Sequence, residues 1–318
     1  MTENGYPETA QEAIIYFSDA QVCHDFMVKM RWPNGVVCPR CGSVDVRFSQ
    51  TKAAKPRRLW NCHGCKKQFT LKVGTIFEDS PLGLEKWLPA VWLIVNAKNG
   101  ISSCELARSL GVTQKTAWFM LHRIRVALQE GTFEKMSGQV EADETYIGGK
   151  AKNMHTDKRI EKVKGRGRGA TGKAVVMGLL ERNEKGKSRV RTKHLKDVRR
   201  HTLHSEIANT VEAGSEVITD ALPSYERLDS IYTHNAIDHA RCYAIGHVHT
   251  NGLENFWSLL KRSIRGTYVS VNHEHLFRYL DEQAYRFNYR QGNDCDRFLK
   301  AVKSVTGARL TYRDVTRK

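Results

Sequence analysis

Three carboxylates in the second half of the chain have the residue types needed for metal-assisted chemistry on an anion. Asp143 lies within "VEADETYIGG" (140–149), where Val, Thr, Tyr and Ile predict a β-strand. Asp220 closes the apolar strand "EVITD". Glu254 stands in "HTNGLENFWSLLKR", near the start of a helix whose inward side carries Leu253, Phe256, Trp257 and Leu260. Hard oxygen donors of this kind suit magnesium or manganese. A pair of such ions ~3.5–4 Å apart can stabilise the attacking and leaving oxygens of phosphodiester transfer. Each acid also has a plainer use. Asp220 can cap the turn that follows it, and Asn251-Gly-Leu-Glu254 has the form of a capping box. Strand alternation sends Glu141, Asp143 and Thr145 to one face, and Ala142, Glu144 and Tyr146 to the other. Glu141 and Glu144 are read as solvated.

A second constellation is built from sulfur. "CPRC" (38–41) and "CHGC" (62–65) are two Cys-x-x-Cys knuckles separated by 20 residues. Thiolates of Cys38, Cys41, Cys62 and Cys65 at ~2.3 Å would fill a tetrahedral zinc shell and leave no open position, so the zinc is structural. Cys23, Cys104, Cys242 and Cys295 show no ligand spacing and are expected to be ordinary packed residues. His247 and His249, in "HVHTN", lack a third nearby ligand. A place beside the reacting phosphate, or none, is expected for them.

The charge balance names the partner. Against 34 Asp+Glu stand 51 Lys+Arg, a formal net charge of +17 and a sequence pI of about 9.6, which favours a polyanionic partner, either nucleic acid or an acidic membrane surface. No run approaches the ~18–20 apolar residues of a membrane span; the longest candidate, "WLPAVWLIV" from Trp87, is far shorter. "MTENGYPETAQEAI" lacks the basic and apolar regions of a signal peptide. A cytoplasmic location with reduced cysteines is expected, nucleoid-associated when bound to DNA.

These residues need elements to position them, and the pattern along the chain divides into five parts. Residues 1–35 form an N-terminal helical segment, with Ile14, Ile15, Phe17, Cys23, Phe26 and Met27 as its apolar positions; residues 36–75 form the zinc ribbon. Residues 81–130 are helical and contain "SSCELARSLGVTQKTAWFMLHRIRVAL" (102–128), which has the form of a helix-turn-helix. Ser102 or Ser103 can cap its first helix, Gly111 supplies the turn, and Thr113 caps the second. Gln114, Lys115, Thr116 and Trp118 would then stand near the N-terminus of the second helix, where base edges are read. His122, Arg123 and Arg125 continue the polar side. Residues 138–292 show three strands, a helix, a strand and later helices, an α/β pattern resembling the ribonuclease H-like fold. In that fold the first strand is central and the fourth lies beside it, so acids 77 and 34 residues apart in sequence can converge. The basic loop 150–173 interrupts this domain. Its segment "KRIEKVKGRGRGATGK" holds seven Lys/Arg against one Glu, so Arg166 and Arg168 are candidate phosphate contacts. Residues 293–318 read as a C-terminal tail.

The segments "CPRCGS", "CHGCKKQFTLKVGTIFEDSPLGLEKWL", "VEADETYIGGK", "VITDALPSY" and "HTNGLENFWSLLKRSIRGTY" occur in this order over about residues 20–290. Together they resemble the ISXO-like transposases of bacterial insertion sequences, which join a DDE catalytic triad to an N-terminal zinc ribbon. The resemblance implies that Asp143, Asp220 and Glu254 are the catalytic acids and that they hold magnesium or manganese. It implies cleavage at the element's end to free a 3′-hydroxyl, which then attacks target DNA without a covalent protein intermediate. Double-stranded DNA, as transposon ends and as target, is the implied partner, and synapsis of two ends implies a homo-oligomer. Lys261, Arg262 and Arg265 follow Glu254 along its helix and are candidates for contacts to the DNA backbone. Two other readings stay open. One is a zinc-ribbon and helix-turn-helix regulator derived from an inactive transposase. The other is a related nuclease that cuts without joining.

Overall fold

The computed structural model describes residues 1–2, 5–52, 56–130, 134–148, 173–183, 187–238 and 244–316. The basic segment carrying Arg166 and Arg168, and Cys242, lie outside the described residues. The chain divides into two units, residues 1–129 with 292–318, and residues 130–291.

The first unit begins with two helices rather than one continuous segment. α1 (Ala10–Tyr16) is capped by the Thr9 hydroxyl, and α2 (Ala20–Arg31) by the Asp19 carboxylate. Phe17 ends α1 and turns fully into the core, together with Cys23, Phe26 and Met27. Ile14 and Ile15, expected to face inward, are instead 56% and 63% exposed. With only two turns in α1 and the break at Phe17, the inward face of α1 is Ala13 alone. Next comes a three-stranded antiparallel sheet of β1 (Val46–Phe48), β2 (Trp60–Cys62) and β3 (Gln68–Phe69). Trp60 is stacked between His24 at 5.4 Å and Phe69 at 5.9 Å, which ties this small sheet to α2.

Three further helices complete the N-terminal stretch: α3 (Leu84–Asn96), α4 (Ser103–Leu110) and α5 (Gln114–Ala127). The Ser102 hydroxyl caps α4, Gly111 turns the chain at φ +63°, and the Thr113 hydroxyl accepts from the Thr116 N–H to start α5. Beyond its first turn, α5 differs from the sequence expectation. His122, Arg123 and Arg125 are 0%, 4% and 1% exposed, so they do not form a polar face. The Arg123 guanidinium donates to the Glu78 carbonyl and lies over the rings of Trp87 (5.7 Å) and Phe119 (5.2 Å). Arg123, read from the sequence as a DNA contact on a polar face, is instead packed inside the first unit. Because α5 packs on both α3 and α4, the side that a helix with one partner leaves to solvent is covered here.

The second unit is a five-stranded sheet with helices on both faces. In chain order its elements are β4 (Gln139–Ile147), β5 (Ala174–Arg182), β6 (Arg189–Leu195), α6 (Arg200–Thr210), β7 (Glu216–Asp220), β8 (Thr233–Ile237), α7 (Asn251–Ser263) and α8 (Leu276–Asn288). The strand order is β6-β5-β4-β7-β8, which makes β4 central. β4, β5 and β6 pair antiparallel, whereas β7 joins β4, and β8 joins β7, in parallel. One face buries Val176, Leu180 and Val190 against Leu253, Phe256, Trp257 and Leu260 of α7 and Leu280 and Phe287 of α8. The other buries Val140, Ala142, Met177 and Val217 against Leu203 and Ile207 of α6 and Tyr225. A strand covered on both faces is apolar throughout, which explains the run Val-Val-Met-Gly-Leu-Leu in β5.

Gly178 sits inside that run because α7 passes too close for a side chain. A Cβ there would lie 2.6 Å from a Trp257 ring carbon and 2.8 Å from Leu253 Cδ2. Gly178→Ala should therefore destabilise the second unit by ~1–3 kcal/mol through overpacking. Urea titration of the two proteins measures this, and an unchanged midpoint would contradict the close approach.

The chain then returns to the first unit as α9 (Asp294–Lys303) and α10 (Tyr312–Thr316). Phe298 is fully buried, with ring centroids 5.1–5.9 Å from those of Phe17, Phe26 and Trp92. Residues 293–318, expected to be a tail, thus supply part of a core. Among the described residues, no helix is long and apolar enough to cross a membrane.

Candidate active site

The pairing of β4 with β7 decides where the first two acids meet. Ala142 pairs with Thr219 in parallel register, so Asp143 and Asp220 are the next matched positions on neighbouring strands. Matched residues of a parallel pair send their side chains to the same face. That face is the one covered by α7, whose Trp257 Nε1–H donates to Asp143 Oδ2 at 2.8 Å. Glu254 is exposed on the same helix, one turn before Trp257. Asp220 also keeps its plainer role, accepting the Leu222 N–H at 3.2 Å in the turn after β7. α7 begins at Thr250, whose side chain makes no capping bond, and the Glu254 N–H donates to the Thr250 carbonyl at 3.0 Å.

The electrostatics show that the acids share one neighbourhood. Burial pushes the Asp143 carboxyl up from the ordinary 3.8 to about 6. The Trp257 N–H opposes this, and the charges of Asp220 and Glu254 add to it. On the opposite face, burial raises Glu144 to about 8 even though the Tyr225 hydroxyl donates to it. Glu141 and Glu144, read as solvated, are therefore both withdrawn from water: Glu141 is 1% exposed and Glu144 is only partly exposed. Alternation reveals which face a strand residue takes, but not that both faces of β4 are covered.

Several residues that sequence reasoning passed over hold this arrangement together. Arg182, at the end of β5, donates from Nε to Glu141 Oε1 at 2.7 Å, from one terminal nitrogen to the His247 carbonyl at 2.6 Å, and from the other to His249 Nδ1 at 2.7 Å. His247 Nε2 lies 2.7 Å from Glu216 Oε1. The two histidines thus belong to ion-pair networks beside the sheet. An arginine ending an apolar strand was the one sequence sign of this network. Trp257 was legible only as a core residue.

Cations flank the acids. Lys261, one turn beyond Trp257, is partly buried, and its ammonium is lowered chiefly by that burial and also by nearby Arg265 and Lys173. The opposing pull of Asp143 places Lys261 beside the acids. Arg262 and Arg265 are exposed. In the first unit Gln114 and Lys115 are exposed and Thr116 is partly so. The Gln114 amide donates to Ser103 Oγ at 2.8 Å, and Lys115 lies 5.0 Å over the Tyr312 ring.

The four cysteines of the small sheet come together as expected. Their sulfurs lie within 4.8 Å of one another, with Cys38–Cys65 at 3.8 Å and Cys41–Cys62 at 3.6 Å. Four sulfurs ~2.3 Å from a common centre would be ~3.8 Å apart, so the spacing fits a tetrahedral ion. Among the described residues this is the only group with three or more metal-ligating atoms so close. The carboxylates of Asp143, Asp220 and Glu254 are neighbours without closing to that distance. Cys23 and Cys295 are buried, but Cys104, also expected to be packed, is exposed.

The second unit is thus a mixed sheet with acids under one helix, and a four-cysteine ribbon precedes it in the chain. Residues 135–288 match the ISXO2-like transposase domain and residues 18–68 match the transposase zinc-ribbon domain, so the chain carries a zinc ribbon followed by a transposase domain. It is similar to an uncharacterised protein in transposable element ISH50 of Halobacterium salinarum, with 29% identity over 245 residues covering 75% of this chain and 81% of that relative.

Proposed function

We propose that the protein is a DNA transposase that binds the ends of its insertion sequence, cleaves there to free a 3′-hydroxyl, and joins that hydroxyl to target DNA. The observation that carries this reading is the placement of Asp143 and Asp220 at matched positions on parallel strands, beneath the helix that bears Glu254. The second unit is then a ribonuclease H-like catalytic domain. The donor set fits magnesium or manganese: three hard carboxylate oxygens, one of them held up to about 6 by burial and by its acidic neighbours. When bound, such ions supply charge stabilisation for the attacking and leaving oxygens of phosphodiester transfer.

The protein's own groups do the rest. Trp257 fixes one oxygen of Asp143 and so orients the carboxylate. Lys261 and Arg265 offer positive charge beside the acids, where a scissile strand must lie, and Arg262 extends it along α7. Arg166 and Arg168 of the basic segment serve the same purpose. Such contacts set the position of the DNA and weaken as salt rises. In the first unit the helix-turn-helix presents Gln114, Lys115 and Thr116 to base edges. Cys38, Cys41, Cys62 and Cys65 hold a structural zinc that shapes the ribbon. Two copies act together, one at each element end.

The test is a DNA fragment carrying the element ends, incubated with the protein, a target plasmid, and magnesium or manganese. New 3′ ends joined to the plasmid by the parent protein, and not by Glu254→Gln, are expected. Cutting without joining would mark a nuclease instead. Binding without cutting under either metal would mark a regulator.

A further inference from the structure

We propose that Glu141 is a positioning residue: its buried carboxylate fastens the first turn of α7 to β4, and thereby sets the separation of Asp143 and Glu254. The claim rests on the reading of those two acids as metal-holding groups.

Helix starts leave backbone N–H groups without partners inside the helix. In α7 the Thr250 side chain makes no capping bond, while His249 Nδ1 accepts the Asn251 N–H at 3.4 Å. The sheet meets the next turn, because Glu141 Oε2 accepts the Leu253 N–H at 2.9 Å. The other oxygen accepts from Arg182 Nε at 2.7 Å, so both oxygens are held by protein donors. Arg182 also grips the His247 and His249 carbonyls, which fixes the loop entering the helix. Gly252 completes the fit: a Cβ there would lie 2.9 Å from both Glu141 oxygens. A carboxylate at this point also faces the positive end of the helix dipole.

The chain positions turn this anchor into a positioning device. Glu141 and Asp143 share a strand face two residues apart, and Leu253 is the residue before Glu254. A second polar link between α7 and β4 runs from Trp257 to Asp143, one turn further on. With both links in place the first turn of α7 cannot swing relative to the strand. With Glu141 removed it pivots about Trp257, and Glu254 moves with it.

Two variants loosen the anchor in different ways. Glu141→Gln keeps the shape and removes the charge, whereas Gly252→Ala keeps the charge and pushes the helix off. Two readouts are taken on the full chain: hydrogen exchange of amides 252–255 without metal, and manganese affinity by calorimetry. Both variants should exchange faster in that turn and bind manganese ~10- to 100-fold more weakly, the range seen when residues that orient metal ligands are lost. Metal-free binding to element ends should not change. Unchanged exchange would overturn the anchor. Faster exchange with unchanged manganese affinity would reduce Glu141 to a helix cap and overturn its positioning role. Asp143→Asn separates this from the catalytic reading. If that variant keeps full manganese affinity, the metal site itself is misassigned and the positioning role fails with it, whatever the exchange data show.

Discussion

Asp143→Asn should yield a metal-free protein that is more stable than the parent at pH 8 and at least ~10³-fold slower at cutting DNA. The stability gain follows from the raised carboxyl. In the unfolded chain Asp143 ionises near 3.8, and in the folded unit at about 6. Between these values the folded state binds more protons than the unfolded one, so stability falls as pH rises through the interval and stays low above it. At ~1.4 kcal/mol per pKa unit, ionised Asp143 costs up to about 3 kcal/mol at pH 8. Asn carries no such charge, and its side-chain oxygen can still accept from Trp257. The advantage of Asn should therefore vanish below pH 4 and be complete by pH 7. The catalytic loss has the opposite origin. On the proposed function, the charge that destabilises the metal-free unit is the one that would hold the cation, and losing ~4 kcal/mol of transition-state stabilisation is a factor of ~10³. Manganese should raise the melting temperature of the parent and not that of the variant. Denaturation series at pH 4 to 8 and an end-cleavage assay measure both effects. A variant that cuts at the parental rate would exclude Asp143 from the chemistry.

Removing zinc should have the larger structural effect. Strands of three, three and two residues cannot sustain a sheet on their own. Structural zinc in small domains supplies ~10–16 kcal/mol of apparent binding energy at neutral pH. The loss should spread beyond the ribbon, because Trp60 is packed between Phe69 and His24 of α2 and touches Trp32 edge-on at 5.7 Å. Chelation, or Cys62→Ser, should shift tryptophan emission to the red and weaken end binding by at least ~10-fold, while the second unit keeps its own melting transition. A metal-stripped protein with unchanged emission and unchanged end binding would show that the four cysteines fold the ribbon without an ion.

The residues that announce themselves in sequence are those whose type is costly elsewhere. Paired Cys-x-x-Cys knuckles have little other use in a reduced chain, and Asp220 at the end of "EVIT" breaks an apolar strand for a reason. The turn at Gly111 and the caps at Ser102 and Thr113 were legible because each satisfies local backbone needs within a few residues. What was hidden depends on partners distant in sequence. Arg123 looks like a solvated cation until α3 and Glu78 are placed over it. Glu141 looks like a surface acid until α7, more than a hundred residues later, lends it an N–H. Ile14 and Ile15 look like core residues until the chain breaks at Phe17. Periodicity reports the faces of an element, and only tertiary packing reports how many of them are covered.

Phe298 follows the second unit in the chain, yet fills the aromatic cluster of the first. During synthesis, the ribbon and the helices after it emerge early and must wait, with a hole where that ring belongs, until the whole second unit has left the ribosome. A message cut short after α5 would therefore release a first unit that lacks part of its core. In this architecture the unit that begins the chain is the last to be completed.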